Sequence, residues 1–102
     1  MKQSIVLTLQ GLDIPVAYSH FRTAVNPPFL VYLGNGQNTL DADSTHYWRQ
    51  NTYQLEFYFE KKDEAQETSI EDALLADGWL YDKSEDVFIE SEGLFVIYYS
   101  VN

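Results

Sequence analysis

Apolar and polar residues alternate most clearly between positions 47 and 61, where Tyr53, Leu55, Phe57 and Phe59 interleave with Gln54, Glu56, Tyr58 and Glu60. A period of two sends successive side chains to opposite faces, so the segment predicts a strand with one face on a core and the other mostly polar. Phe29, Leu30, Val31, Tyr32 and Leu33 form a continuous apolar run. Such a run suits a strand covered on both faces, either within its own domain or by the domain on one side and a neighbouring subunit on the other. Pro27 and Pro28 precede it and interrupt any ladder. Residues 16–19 predict a shorter strand, after Pro15 has forced Ile14 into an extended conformation. A last strand over 94–101 is rich in β-formers.

Helical signals are fewer. In 2–11, Ile5, Leu9 and Leu12 fit one helical face, although Ile5, Leu7 and Leu9 also alternate; a short helix stopping at Gly11 is the reading adopted. Asp63 followed by Gln66 resembles a capping box, with Glu64 and Glu67 in the first turn complementing the helix dipole. A helix over 64–77 follows, with Ile70, Ala73, Leu74 and Leu75 as its apolar face and Gly78 as its stop. Residues 79–81 and 87–89 flank a polar stretch and predict a hairpin. Residues 34–45 begin Gly-Asn-Gly and stay polar, which predicts a loop of about a dozen residues, a length that in compact domains is usually functional or disordered. The order is α-β-β-β-α-β-β: a single α+β domain over 1–102, with an antiparallel or mixed sheet of four to six strands and two helices.

Composition then narrows the function. Aromatics make up 16 % of the 102 residues, with eight Tyr and six Phe, so the chain has ample material for one core and for aromatic contact surfaces. Sixteen acidic against six basic residues give a formal charge of −10, which disfavours binding to nucleic acid and anionic membranes. Twelve of the sixteen acids lie between Glu60 and Glu92, so one side of the domain is expected to be strongly negative. No window approaches the roughly 20 apolar residues of a membrane span, and the apolar run at the start is too short for a signal peptide. With no cysteine, packing rather than disulfides must hold the fold.

Candidate chemistry is sparse. His20, His46, Asp41 and Asp43 are the residues a metal would use, but their spacing matches no calcium loop. There is no cysteine nucleophile and no serine in a nucleophile elbow. Neighbouring acids such as Glu71 and Asp72, or Glu85 and Asp86, diverge on regular structure instead of converging across a cleft. Gly34-Asn35-Gly36 lacks the Lys and Ser/Thr of a phosphate loop. Tyr47, Trp48 and Arg49 would make a stacking platform only with more positive charge around them, and a buried strand anchor suits Trp48 better. The expectation is a non-enzyme without cofactor or metal.

The segments Ile14-Pro15-Val16-Ala17-Tyr18, Pro27-Pro28-Phe29-Leu30-Val31-Tyr32 and Tyr53-Gln54-Leu55-Glu56-Phe57-Tyr58 before an acidic helix resemble small neck or tail proteins of long-tailed bacteriophages and Gram-positive prophages. The resemblance is to the tail-terminator, or tail-completion, proteins and spans roughly residues 10–100. It implies a homo-oligomeric ring, usually a hexamer, that caps the tail tube and joins it to the head. Its partners would be further copies, the major tail protein and head-completion proteins, and its location the host cytoplasm during assembly and then the virion neck or tail end. DNA would pass through such a ring without being specifically bound. The candidate subunit or tube interface is Pro27, Pro28, Phe29, Val31, Leu33, Asn35, Asp41 and Asp43, and the candidate acidic channel face is Glu85, Asp86, Glu90 and Glu92. The alternative is an acidic DNA mimic that occupies the basic channel of a host defence nuclease.

Overall fold

The computed structural model describes residues 4–42 and 46–102, with 37–42 and 46–51 described by their backbone alone. In chain order the elements are α1 (Ile5–Gln10), β1 (Val16–Tyr18), β2 (Phe29–Ala42), β3 (His46–Phe59), α2 (Glu64–Ala76), β4 (Tyr81–Lys83), β5 (Val87–Ile89) and β6 (Leu94–Val101). The six strands form one mixed sheet in the order β1-β2-β3-β6-β4, with β5 also on β6. Only β1 runs parallel to its neighbour; the other pairs are antiparallel. This is the expected α+β domain with two helices.

Both helices cover one face of the sheet. Tyr53, Leu55, Phe57 and Phe59 of β3 turn that way, beside Leu30 and Tyr32 of β2 and Ile97, Tyr99 and Val101 of β6. Ile5 and Leu9 of α1 and Ile70 and Leu74 of α2 close the core, as their helical spacing requires. The boundaries of α2 are chemically explicit. The Asp63 side chain accepts a hydrogen bond from Gln66 N–H at 3.1 Å, satisfying an otherwise orphaned donor. At the other end Gly78 takes φ +89°, and Gly78 N–H and Trp79 N–H donate to the carbonyls of Leu75 and Leu74 at 3.2 and 2.9 Å. That left-handed stop swings Trp79 into the core. Asp63→Ala should cost about 1 kcal/mol, read as a shift of the urea midpoint with an unchanged slope.

Four sequence expectations need correcting. Residues 34–42 are not a loop: β2 continues through them, pairing with β3 as far as Ala42↔His46. Within this stretch the glycines make a bulge, with the register shifting between Gly34 and Gln37 and Gly36 at φ +85°. Residues 79–81 and 87–89 do not pair with each other. The eight-residue β6 offers one edge long enough for both β4 and β5, which lie end to end along it. Third, Leu75, placed on the apolar face of the helix, is 52 % exposed, whereas Glu67, read only as a first-turn acid, is 2 % exposed. Finally, Gly11 ends α1 as a right-handed cap at φ −75° and so needs no glycine-specific conformation.

The second face of the sheet is covered in part by the connector 19–28. Ser19, at φ 67°, turns the chain out of β1, with its N–H on the Tyr32 carbonyl at 2.9 Å. The Phe21 ring then packs edge-on against Phe29 at 5.4 Å. Val31, which points to this second face and lines the cavity beside the connector, is 4 % exposed, and Val96 on the same face is 0 % exposed. The continuous run at 29–33 thus finds cover on both faces within one chain. Among the described residues no helix is long and apolar enough to cross a membrane.

Candidate assembly surfaces

β1 pairs with β2 only as far as Tyr32, and β6 pairs with β3 only from Tyr53 onward. Between these limits and the far end, among the described residues, β2 and β3 pair only with each other, through six register pairs from Gln37↔Asn51 to Ala42↔His46. At about 3.3 Å per residue this two-stranded arm extends roughly 20 Å beyond the sheet, and the molecule measures 50 × 26 × 26 Å. Its root is fixed by the Thr52 hydroxyl, which donates to the Gly36 carbonyl at 3.0 Å. An isolated two-stranded ribbon is at best marginally stable in water. Among the described residues no further strand pairs with its two outer edges, whereas the body's own edges are blunted by the three-residue strands β1, β4 and β5.

At the opposite end of the same strands, on the second face, the connector roofs a cavity of about 330 Å³ lined by Phe21, Thr23, Val25, Phe29, Val31 and Tyr58, with Leu94 and Glu92 at one side. The Tyr58 ring stacks on Phe29 at 5.0 Å, and its hydroxyl donates to Glu56 Oε1 at 2.7 Å. Burial, then the hydrogen bond to Glu56 and its negative charge, push the Tyr58 hydroxyl well above the ordinary tyrosine range. Tyr99 is raised in the same direction by burial and by its 2.8 Å bond to Glu71. An alkaline absorbance titration should therefore show at least two of the eight tyrosines ionising only when the fold opens; eight normal tyrosines would contradict this environment.

A charged cluster ties α2 to β4. Glu67 Oε1 lies 2.8 Å from Lys83 Nζ, and Glu67 Oε2 lies 2.8 Å from Lys62 Nζ. Lys83 also contacts Glu71 Oε2 at 2.8 Å, and Lys62 reaches Asp86 at 3.0 Å. Tyr99 and Tyr81 donate their hydroxyls to the two oxygens of Glu71. Burial pushes the Glu67 and Glu71 carboxyls up, but contact with Lys62 and Lys83 for Glu67, and with Lys83 and Tyr99 for Glu71, outweighs it and holds both below the usual carboxylate range. Glu67 Oε2 meets no hydrogen-bond geometry and is held by the Lys62 ammonium as an ion pair, so the cluster's charges are paired within the chain and its chemistry is that of a clamp. Nothing in the sequence marked it, because Glu67 read only as a first-turn acid and Glu71 only as a neighbour of Asp72.

The sequence-derived interface residues divide between several places. Phe29 and Val31 line the roofed cavity, and Glu92, assigned to the acidic face, joins them there. Pro27 and Pro28 line a separate opening of about 460 Å³ with Phe57, Phe59 and Lys61. Leu33 is half-buried at the root of the arm, beside exposed Asn35. Asp41 lies in the arm, Asp43 lies outside the described residues, and the side chain of Trp48, expected as a buried anchor, is likewise outside them. Glu85, Asp86 and Glu90 are exposed around β5, with Asp86 partly neutralised by Lys62. No protein-family model matches the chain, and no curated protein matches it significantly.

Proposed function

We propose that the chain is a structural, self-assembling subunit, namely the ring protein at the neck or tail end of a long-tailed phage, capping the tail tube and joining it to the head. The observation that carries the reading is the arm: a ribbon with two open edges on a domain whose other edges are blunted is an element built to pair with another chain. The resemblance to tail-terminator proteins supplies the kind of assembly, with major tail protein and head-completion proteins as further partners. Its site of action is the host cytoplasm and then the virion. Acids exposed at Glu85, Glu90 and Glu92 suit a lumen through which DNA slides without being held, since like charges repel across a partly screened gap. No catalytic group, metal or cofactor enters this role.

Solution mass and negative-stain imaging, with and without tail-tube protein, test the proposal. Rings of defined stoichiometry that cap tubes are expected, and a strict monomer that binds no tube would overturn it. The DNA-mimic reading draws on the same exposed acids. It is weakened because Lys62 and Lys83 draw Asp86, Glu67 and Glu71 into internal pairs. Reversing the charge of Glu85, Glu90 and Glu92 would abolish inhibition of a defence nuclease only under that second reading.

A further inference from the structure

The bulge at the root of the arm holds Asn35-Gly36, the one place in the sequence where an asparagine precedes a glycine. Gly34 pairs with Tyr53 and Gln37 with Asn51, and the register shifts between them, so neither Asn35 nor Gly36 has a partner in the ladder. Both residues are exposed. A Cβ placed on Gly36 would meet no described heavy atom within 4 Å, so space for water lies open beside this backbone. We propose that Asn35-Gly36 is a modification site of the native fold, where the asparagine closes on the Gly36 nitrogen as a succinimide and reopens as aspartate or isoaspartate.

The chemistry needs only the chain and water. The Gly36 backbone nitrogen gives up its proton to solvent and attacks Cγ of the Asn35 amide. A bond forms from that nitrogen to Cγ, the Cγ–Nδ2 bond breaks, and the side-chain nitrogen takes up a proton and leaves as ammonia. Water then opens the ring at one of its two carbonyls. Attack at Cγ restores the ordinary main chain and leaves aspartate, whereas attack at the main-chain carbonyl routes the chain through Cγ as isoaspartate. Either product adds one negative charge to the formal −10.

The structure favours this pair over the other asparagines. In a regular antiparallel strand ψ near about +135° turns the following nitrogen away from Cγ, and the ladder hydrogen bonds hold it there. Asn35 lies outside that restraint, and glycine has no Cβ to shield the attacking nitrogen. Asn38 and Asn51 are each followed by a β-branched threonine and keep the register partners Gln50 and Gln37. Asn26 precedes Pro27, which has no N–H to lose. The site also accommodates its product: isoaspartate lengthens the main chain by one carbon where the ladder is already interrupted, between Gly34↔Tyr53 and Gln37↔Asn51.

The full chain, folded, is incubated at mildly alkaline pH, digested with trypsin and followed by tandem mass spectrometry, with isoaspartate revealed by its enzymatic methylation. Asn35 should convert at least about tenfold faster than Asn38 and Asn51, a barrier difference of about 1.4 kcal/mol, and should yield both products. Asn35→Gln, whose longer side chain must close a six-membered ring, should keep its amide through the same incubation. Equal rates at the three asparagines, or conversion of Asn35 only after the chain is unfolded in urea, would overturn the site.

Discussion

Phe57→Ala is expected to destabilise the domain by about 3–5 kcal/mol, the usual range when a fully buried phenylalanine is truncated. Phe57 has no exposed surface. Its register partners are Leu30 on one side and Ile97 on the other, and its ring stacks on Phe59 at 5.4 Å. It therefore sits at the centre of three strands under the helices, where no side chain can collapse inward without moving the sheet. Domains of this size hold roughly 5–15 kcal/mol in all, and each kcal/mol moves the midpoint by about 4–8 °C. The variant should melt well over ten degrees lower by far-UV circular dichroism. Phe95→Ala is the comparison: its ring stacks on Phe59 but is only half-buried, so it should lose less. Equal losses at the two positions would refute the placement of the core.

The parts of the fold that were legible in the sequence are those whose environment is asymmetric. Tyr53 to Phe59 alternate because one face meets helices and the other does not, and the period of two records that difference. The ends of α2 were legible because Asp63 and Gly78 perform local hydrogen-bond chemistry that needs no tertiary partner. The arm was not. Residues 34–42 are polar and carry no period of two, so they read as a loop even though their backbone is paired. The partners of β4 and β5 were illegible for another reason. Nearness in sequence suggests a hairpin, but the free edge of β6 is the longer template and takes both.

The candidate site was legible in part. The apolar run 29–33 announced cover on both faces, and the cover exists; the connector that supplies it, with polar residues around Phe21 and Val25, carries no periodic signal. Sequence separates Phe29 from Glu92 by most of the chain and assigned them to different surfaces. The antiparallel ladder β2-β3-β6 brings them to one cavity, since Phe29 pairs with Tyr58, Tyr58 with Val96, and β6 begins two residues after Glu92. Convergence of this kind is a property of register, which a one-residue slip would undo.

Glu67→Ala is expected to cost about 2–3 kcal/mol. Removing one member of a buried ion pair typically costs more, about 3–5 kcal/mol, but the stranded Lys62 and Lys83 side chains are 42 % and 34 % exposed and can rehydrate. Glu67→Met fills the same volume without the charge, so it should recover much of the loss. The pH dependence separates clamp from filler. Because the Glu67 and Glu71 carboxyls are held below their ordinary range in the fold, the unfolded chain takes up their protons first. Their contribution is complete above the unfolded value of about 4.3 and is lost as pH falls through the depressed folded value. Lys83 does not confuse this window. Burial pulls its ammonium down, but contacts with Glu67 and Glu71 outweigh that and raise it, so its contribution is intact throughout acid and neutral pH and is lost only in strong alkali. The melting temperatures of the wild type and Glu67→Met should therefore differ most near neutrality and converge as the pH is lowered below about 4. A constant offset across that range would mean that Glu67 acts through packing alone, and that β4 is held to α2 by something other than its charge.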